Sequence, residues 1–241
     1  MKGALLGLVM VLGAASAACA QIDLERLLKG VPQAPASGGS IGDVKIGQAL
    51  KEALQVGTEK AVNLTGRPDG YYLNQAIKIA LPENVKTVES GLRLVGYGAE
   101  VDALVVGMNR AAERAAPAAK TIFWDAIGAM TIDDARRILN GPDTAATDYF
   151  RDKTTRSLTA AFRPVVERSM NEVGVTRQYK QVLASAKALP FVNVEDYDID
   201  RYVVTKALTG LFHVVGEEER KIRRDPAARV TDLLREVFGR R

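Results

Sequence analysis

Residues 138–151 read Ile-Leu-Asn-Gly-Pro-Asp-Thr-Ala-Ala-Thr-Asp-Tyr-Phe-Arg, and this stretch decides how the middle of the chain folds. Asn140-Gly141 predicts the end of one helix, because glycine readily takes the left-handed backbone found at helix C-termini. Pro142 cannot continue that helix. Asp143 predicts the start of the next helix, with its carboxylate accepting from the free N–H groups of the first turn. The stretch therefore predicts two helices joined by a tight polar connection.

Helical spacing extends outward from this connection in both directions. Upstream, Thr131 is followed three residues later by Asp134, which resembles a capping box with Asp in place of Glu. Downstream, apolar residues recur at the spacing of one buried helix face, at Tyr149, Phe150, Leu158, Phe162, Val166 and Met170. The stretch 71–81 is the least helical, and Ile77-Lys78-Ile79 within it alternates like an extended segment. That segment is too short to build a sheet without a partner.

Taken over the whole length, this pattern predicts an all-α fold. We expect a single bundle-like domain of about eight or nine helices over residues 43–241. Residues 21–42 begin with a short amphipathic piece and continue into a linker rich in Pro, Gly and Ser. We see no fixed-period repeat of the solenoid kind.

The composition excludes several classes of protein. The chain has 241 residues, 47% hydrophobic and 26% charged, which is typical of a globular protein. Its net charge of +4 arises from 33 Lys and Arg against 29 Asp and Glu, a mixed surface rather than a clustered basic stripe. Aromatic residues make up only 6%, which disfavours base-stacking platforms. We therefore expect no nucleic-acid partner.

The first twenty residues are typical of a cleaved signal peptide. Lys2 supplies the positive start, residues 4–15 supply a short apolar run, and Ala18-Cys19-Ala20 supplies a cleavage site before Gln21. We predict a periplasmic or secreted protein with no membrane span in the mature chain. The less favoured alternative is a lipoprotein anchored at Cys19. Cleavage after Ala20 would leave the mature chain without cysteine, which excludes disulfides and thiolate chemistry.

Several long strings in the chain resemble a family of exported bacterial helical proteins that is catalogued as a domain of unknown function. The resemblance covers about residues 43–239 and implies a secreted or periplasmic helical protein. It implies no activity, ligand or catalytic residue. The strings that carry it are Met108-Asn109-Arg110-Ala111-Ala112-Glu113, Met130-Thr131-Ile132-Asp133-Asp134-Ala135, Gly141-Pro142-Asp143-Thr144-Ala145-Ala146-Thr147-Asp148-Tyr149-Phe150-Arg151, Lys206-Ala207-Leu208-Thr209-Gly210-Leu211-Phe212 and Asp225-Pro226-Ala227-Ala228-Arg229.

A first polar cluster consists of Asn109, Arg110 and Glu113, which share one side of a helix at spacings of three and four. One interpretation is the wall of a ligand pocket in which Arg110 meets an anionic group. The other is an intrahelical ion pair or a buried helix–helix hydrogen bond. We favour the second, because charged groups near a core usually serve pairing.

A second polar cluster consists of Asp143, Thr147 and Arg151 at i, i+4 and i+8, with Thr144 beside them. A helix N-terminus with Arg151 nearby could receive an anion. A capping Asp143 would already occupy those donors, so a cap plus a surface stripe is the competing interpretation. If the helix 99–116 packs against the helix 143–163, the two clusters could form a single site.

Other chemistry has weaker support. His213 is the single histidine, with Glu217 four residues on, and we expect a packed histidine rather than a metal ligand. No G-x-S-x-G elbow accompanies any serine, so hydrolase chemistry is unsupported. We predict no cofactor and no metal.

Three functional hypotheses follow. We favour a non-enzymatic envelope protein that binds an unknown small molecule or an envelope protein. An enzyme that uses Glu113, Asp143 or Asp134 as acid and base is the alternative, and it requires a carboxylate with a raised pKa in a concave pocket. A purely structural envelope protein is the third, and it requires no pocket and an exposed apolar patch.

Overall fold

The computed structural model describes residues 41–82, 96–172 and 198–225, together with a few positions within 89–94 and 174–184. The side chains of residues 41–45 are not among them. The predicted signal peptide, the linker up to residue 40 and the expected last helix after Asp225 lie outside the described residues. The sequence pattern also predicts one helix that begins at Pro82 and another that begins at Thr176, and most of the residues of both lie outside the described part.

All regular elements among the described residues are helical, which confirms the all-α prediction. Six α-helices and one short 3-10 helix are present there, so the predicted total of eight or nine stays a prediction. None of the described helices is long and apolar enough to cross a membrane. The helices are α1 (Ile41–Gly66), α2 (Gly98–Ala115), the 3-10 helix (Ala116–Ala118), α3 (Ala119–Gly128), α4 (Ile132–Asn140), α5 (Ala145–Glu172) and α6 (Ile199–Arg224).

The predicted capping box opens α4. Thr131 Oγ1 accepts from the Asp134 N–H at 3.1 Å, and Asp134 Oδ2 accepts from the Thr131 N–H at 3.1 Å. The Thr131 hydroxyl also donates to Asp134 Oδ2 at 2.7 Å. This hydrogen bond, together with the one from the Thr131 N–H, lowers the pKa of Asp134. Asp in place of Glu therefore closes the box in full, as the sequence predicts.

The connection between α4 and α5 lies where the sequence places it, but two of its residues act differently. Gly141 has φ −81°, so it is not left-handed. Glycine is needed there for space, because a Cβ would lie 2.7 Å from the Ala145 Cβ and 2.8 Å from the Arg137 carbonyl oxygen. The prediction that Asp143 caps α5 is wrong: its carboxylate pairs with Arg224, near the end of α6.

Helices α5 and α6 run antiparallel. Thr147, at the start of α5, bonds Glu219 near the end of α6, and the Arg151 guanidinium lies 5.4 Å from the Phe212 ring centre one turn further along. The aromatic core lies where α3 meets this pair, since the Phe123 ring centre is 5.1 Å from that of Phe150 and 6.2 Å from that of Phe212. Edge-to-face contacts of this kind stabilise a core beyond the apolar area that they bury.

The chain between α1 and α2 begins with a tight turn over residues 67–70, which the Pro and Gly residues of Gly66-Arg67-Pro68-Asp69-Gly70 predict. Gly70 is required there, because a Cβ would lie 2.4 Å from the Leu64 carbonyl oxygen. Asp69 has φ 65°, a left-handed backbone that costs free energy in a residue with a side chain. The stretch 71–82 then continues without helix or strand, with Tyr71, Ile77, Ile79 and Leu81 buried.

Candidate functional site

The first predicted cluster contacts this irregular segment. Asn109 is fully buried, and its Oδ1 accepts from the Ile79 N–H at 2.9 Å while its Nδ2 donates to the Ile79 carbonyl at 2.8 Å. A neighbouring strand would offer the same pair of bonds. The Asn109 side chain therefore replaces a partner strand at Ile79 alone. The expected extended segment does not include Ile77 and Lys78, because their N–H groups close a turn on the Asn74 carbonyl at 3.1 and 2.8 Å.

Glu113 and Arg110 hold the beginning of the same segment. Glu113 is 3% exposed, and its Oε1 accepts from the backbone N–H groups of Tyr71 and Tyr72, each at 3.1 Å. Its Oε2 accepts from Arg110 at 2.7 Å, the predicted intrahelical ion pair. Arg110 also donates to Asp69 Oδ1 at 2.6 Å, which joins the left-handed turn residue to α2.

Tyr71 extends this network to α6. Burial raises the pKa of the Tyr71 hydroxyl, and the nearby charge of Glu113 raises it further. The hydroxyl therefore stays protonated and donates to the Ala207 carbonyl at 2.7 Å. The first cluster is thus a clamp that fastens residues 69–79 between α2 and α6, and most of its polar atoms already have protein partners.

The second cluster meets a carboxylate that the sequence pattern does not reveal. Glu219 is 7% exposed and accepts from the N–H groups of Ala146 and Thr147, both at 2.9 Å. The Thr147 hydroxyl donates to it at 2.8 Å. The N-terminus of α5 therefore does bind an anion, as the positive end of a helix favours. That anion is the Glu219 carboxylate of the protein itself.

Arg223 completes this arrangement. It forms an ion pair with Glu219 at 2.9 Å, and both side chains are at least 93% buried. Its guanidinium also donates to the Ile138 carbonyl at 2.7 Å, at the end of α4. One buried ion pair of α6 therefore hydrogen-bonds both neighbours: Arg223 bonds the last carbonyls of α4, and Glu219 bonds the first N–H groups of α5. We call Glu219 and Arg223 the α6 pin.

The remaining residues of the second cluster are more exposed. Thr144 Oγ1 lies 3.4 Å from Asp148 Oδ2, and the Arg151 guanidinium lies 3.4 Å from Asp148 Oδ1. The Arg151 side chain is 57% exposed. Arg151 thus keeps donors that face water, whereas Thr147 is buried and bonded to the α6 pin.

The structure does not bring the two clusters together. Arg114, next to Glu113 in sequence, donates to Ser169 at 3.0 Å, near the end of α5. Thr147 lies near the start of α5, about six helical turns away. Helices α2 and α5 do pack against each other, but the polar cluster of each contacts different neighbours.

A concave site lies elsewhere, between α3, the start of α4 and α5. It has a volume of about 600 Å³, within the range of small-molecule sites. Half-buried apolar groups and exposed polar groups line it together. We call it the Tyr149 cleft, and its lining residues are Ile122, Asp125, Ala126, Ala129, Thr131, Asp134, Tyr149, Lys153, Thr154 and Ser157.

Tyr149 is the largest side chain in this cleft. Its hydroxyl donates to the Ala126 carbonyl at 3.2 Å, which fixes the ring between α3 and α5. Burial raises the pKa of Tyr149, and the negative charge of Asp134 raises it further. The cleft therefore offers a neutral aromatic wall, with the ammonium of Lys153 and the hydroxyl of Ser157 as exposed polar groups.

Comparison with known families matches residues 40–239 to the family described as a protein of unknown function, DUF4197. The chain belongs to the DUF4197 family. This confirms the resemblance to a domain of unknown function drawn from the sequence strings. No curated protein and no solved structure matches the chain.

For this DUF4197 protein, the carboxylates named for the enzyme hypothesis have the wrong environments in the structure. Glu113 is buried in the clamp, Asp143 pairs with Arg224, and the pKa of Asp134 is lowered. Among the described residues, a raised carboxylate pKa occurs at Asp200, where burial raises it and Asp198 adds to the effect. Asp200 does not line the Tyr149 cleft.

The single histidine of this DUF4197 chain, His213, is not packed as the sequence predicted. We predicted a packed His213, but its side chain is 42% exposed and its Nε2 lies 3.5 Å from Glu217. Its position on the water-facing side of α6 explains the difference, since Phe212 and Val214 beside it are buried. No group of three or more His, Cys, Asp and Glu side chains suited to a metal occurs within the described ranges.

Two features of the structure have no signal in the local sequence pattern. Glu219 lies 72 residues from Thr147, and local spacing carries no signal for such a pairing. The Tyr149 cleft was also missed, although Thr131, Asp134 and Tyr149 all belong to strings that resemble the family. Those strings contain some of the lining residues, but the cleft itself forms only when α3, α4 and α5 pack together.

Proposed function

We propose that this DUF4197 protein is an exported helical protein that binds a small amphipathic molecule in the Tyr149 cleft, without catalysing a reaction on it. The Tyr149 cleft is the observation that carries the proposal. Its half-buried apolar side chains and the Tyr149 ring suit an apolar body, while Lys153 and Ser157 suit a polar group. The competing structural role requires the absence of such a cleft, so the cleft favours binding.

The lowered pKa of Asp134 supports a binding role over an enzymatic one. A general acid working near neutral pH needs a raised pKa, and the Thr131 hydroxyl and backbone N–H shift this carboxyl the other way. Asp134 is also engaged by the capping box and by Arg137. Its hydrogen bonds therefore stabilise the N-terminus of α4.

A thermal-shift screen of the mature protein against envelope metabolites and lipids tests the binding role. A ligand present at about one hundred times its Kd should stabilise the protein by about 2.7 kcal/mol, which corresponds to a rise in Tm of about 5–10 °C. Ser157→Trp should fill the cleft and remove the shift. The control Thr121→Trp, an exposed α3 position outside the cleft, should keep it. A screen without any hit, or a hit that shifts Ser157→Trp equally, would overturn the proposal.

Export is supported by the positive start, the apolar run and the Ala18-Cys19-Ala20 site of the first twenty residues. The intact mass of the protein recovered from the periplasmic or secreted fraction should correspond to a chain that begins at Gln21. A mass that includes a lipidated Cys19 would instead support the lipoprotein alternative. Recovery of the full-length chain in the cytoplasm alone would contradict export.

A further inference from the structure

A second cleft lies on another part of the described chain, between the end of α1, the turn after it and the second half of α6. It has a volume of about 450 Å³, and its lining is rich in charged and amide side chains. Two cations, Arg67 and Lys221, and three carboxylates, Asp69, Glu217 and Glu218, contribute to it. We call it the Glu218 cleft.

Glu218 contributes a buried, ionised carboxylate to the lining of this cleft. Its side chain is 3% exposed and pairs with Lys60 at 2.8 Å and with Lys221 at 2.7 Å. Burial alone would raise its pKa, but the hydrogen bonds from Lys221 and Lys60 outweigh burial and lower the pKa of Glu218. The carboxylate therefore stays ionised and orients Lys221, whose side chain is 53% exposed and keeps donors for a ligand.

Arg67 supplies the second cation from the opposite wall. Its side chain is exposed, and within the part of the chain that the structure describes its guanidinium has no hydrogen bond or ion pair. The turn that carries it is held by the left-handed Asp69, which is bonded to Arg110 at 2.6 Å. Backbone strain of this kind persists where the surroundings enforce it, so the backbone of the turn that carries Arg67 is held in place.

Glu217 supplies an anion that can still accept a partner. Its contact is His213, 3.5 Å from its Oε1, and its side chain is 40% exposed. Asp69 is already paired with Arg110, and Glu218 with two lysines. The lining thus offers two cations that can hold a carboxylate and, in Glu217, a carboxylate that can hold an ammonium. We propose that the Glu218 cleft binds a small zwitterion, an amino acid or a short peptide, with its carboxylate on Arg67 and Lys221 and its ammonium on Glu217.

Isothermal titration calorimetry on the mature protein tests this assignment with four probes: L-alanine, dialanine, succinate and ethanolamine. We expect L-alanine or dialanine to bind, and succinate and ethanolamine to bind about tenfold more weakly or worse, because each lacks one of the two charges. A preference between the two zwitterions distinguishes an amino-acid site from a peptide site. Absence of binding by both zwitterions would overturn the proposal.

Variants assign the binding to this cleft. Arg67→Ala should weaken zwitterion binding about tenfold, since it removes charge-assisted hydrogen bonds. Glu217→Gln should weaken it as strongly, and it should not weaken succinate binding, because succinate has no ammonium for Glu217 to hold. Arg156→Ala, at an exposed position of α5 outside both clefts, is the matched control and should bind as wild type does. Equal binding by Arg67→Ala and wild type, with matching thermal unfolding, would refute the assignment and leave the Tyr149 cleft proposal standing.

Discussion

Replacing Glu219 by alanine should lower the free energy of unfolding by about 3–5 kcal/mol. The change leaves the Arg223 guanidinium buried without its carboxylate, and it strips the N–H groups of Ala146 and Thr147 of their acceptor. Chemical denaturation should report the loss as a lower midpoint, and Tm should fall by about 6–20 °C. The effect is large because Glu219 accepts the first N–H groups of α5 and also pairs with Arg223, which in turn bonds the last carbonyls of α4.

Glu217→Ala is the matched control for this prediction. It removes a carboxylate from the same helix, at a side chain that is 40% exposed and faces His213 at 3.5 Å. The free energy of unfolding should change by no more than about 0.5 kcal/mol. Adding Arg223→Ala to Glu219→Ala should cost less than the sum of the single changes, because the two side chains form one unit. Additive effects would show that the α6 pin is not a coupled pair.

Replacing Asn109 by leucine should cost about 2–5 kcal/mol. Leucine has a similar size, so it opens no sizeable cavity, but it leaves the N–H and the carbonyl of Ile79 buried without their partners. Hydrogen exchange at the Ile79 amide should accelerate together with the loss of stability, since that amide is protected by the Asn109 side chain.

The matched control for that change is Asn63→Leu. Asn63 is an exposed asparagine within α1, so the same substitution there should change stability by no more than about 0.5 kcal/mol. An equal loss at both positions, or an unchanged exchange rate at Ile79, would contradict the clamp. The comparison separates the loss of two specific hydrogen bonds from the general effect of adding an apolar side chain.

Local sequence rules predicted the local features well. The Thr131–Asp134 capping box, the turn after Gly66 and the Arg110–Glu113 ion pair each depend on residues within four positions of one another. Spacing also identified residues 71–81 as irregular. These features follow from backbone geometry and from the periodicity of a helix, both of which are visible in a single sequence.

Long-range partners could not be predicted in this way. The acceptor at the start of α5 is Glu219 rather than the adjacent Asp143, and the partner of the Ile79 backbone is an amide 30 residues away. Helix packing decides these pairings, and no local pattern specifies it. The seven predicted site residues therefore belong to the clamp, to the start of α5 or, for Arg151, to the exposed surface. The two clefts are lined almost entirely by residues that were not predicted as site residues.

The central claim is that an amphipathic ligand binds in the Tyr149 cleft, while the polar clusters of α2 and α5 mainly stabilise the fold. The most direct measurement is a map of backbone amide chemical shifts during titration of the mature protein with the strongest hit of the thermal-shift screen. We expect saturable shifts at Ala126, Thr131, Lys153 and Ser157, with Arg110 and Glu113 unchanged. Shifts centred on Arg110 and Glu113, with the cleft amides unmoved, would contradict it.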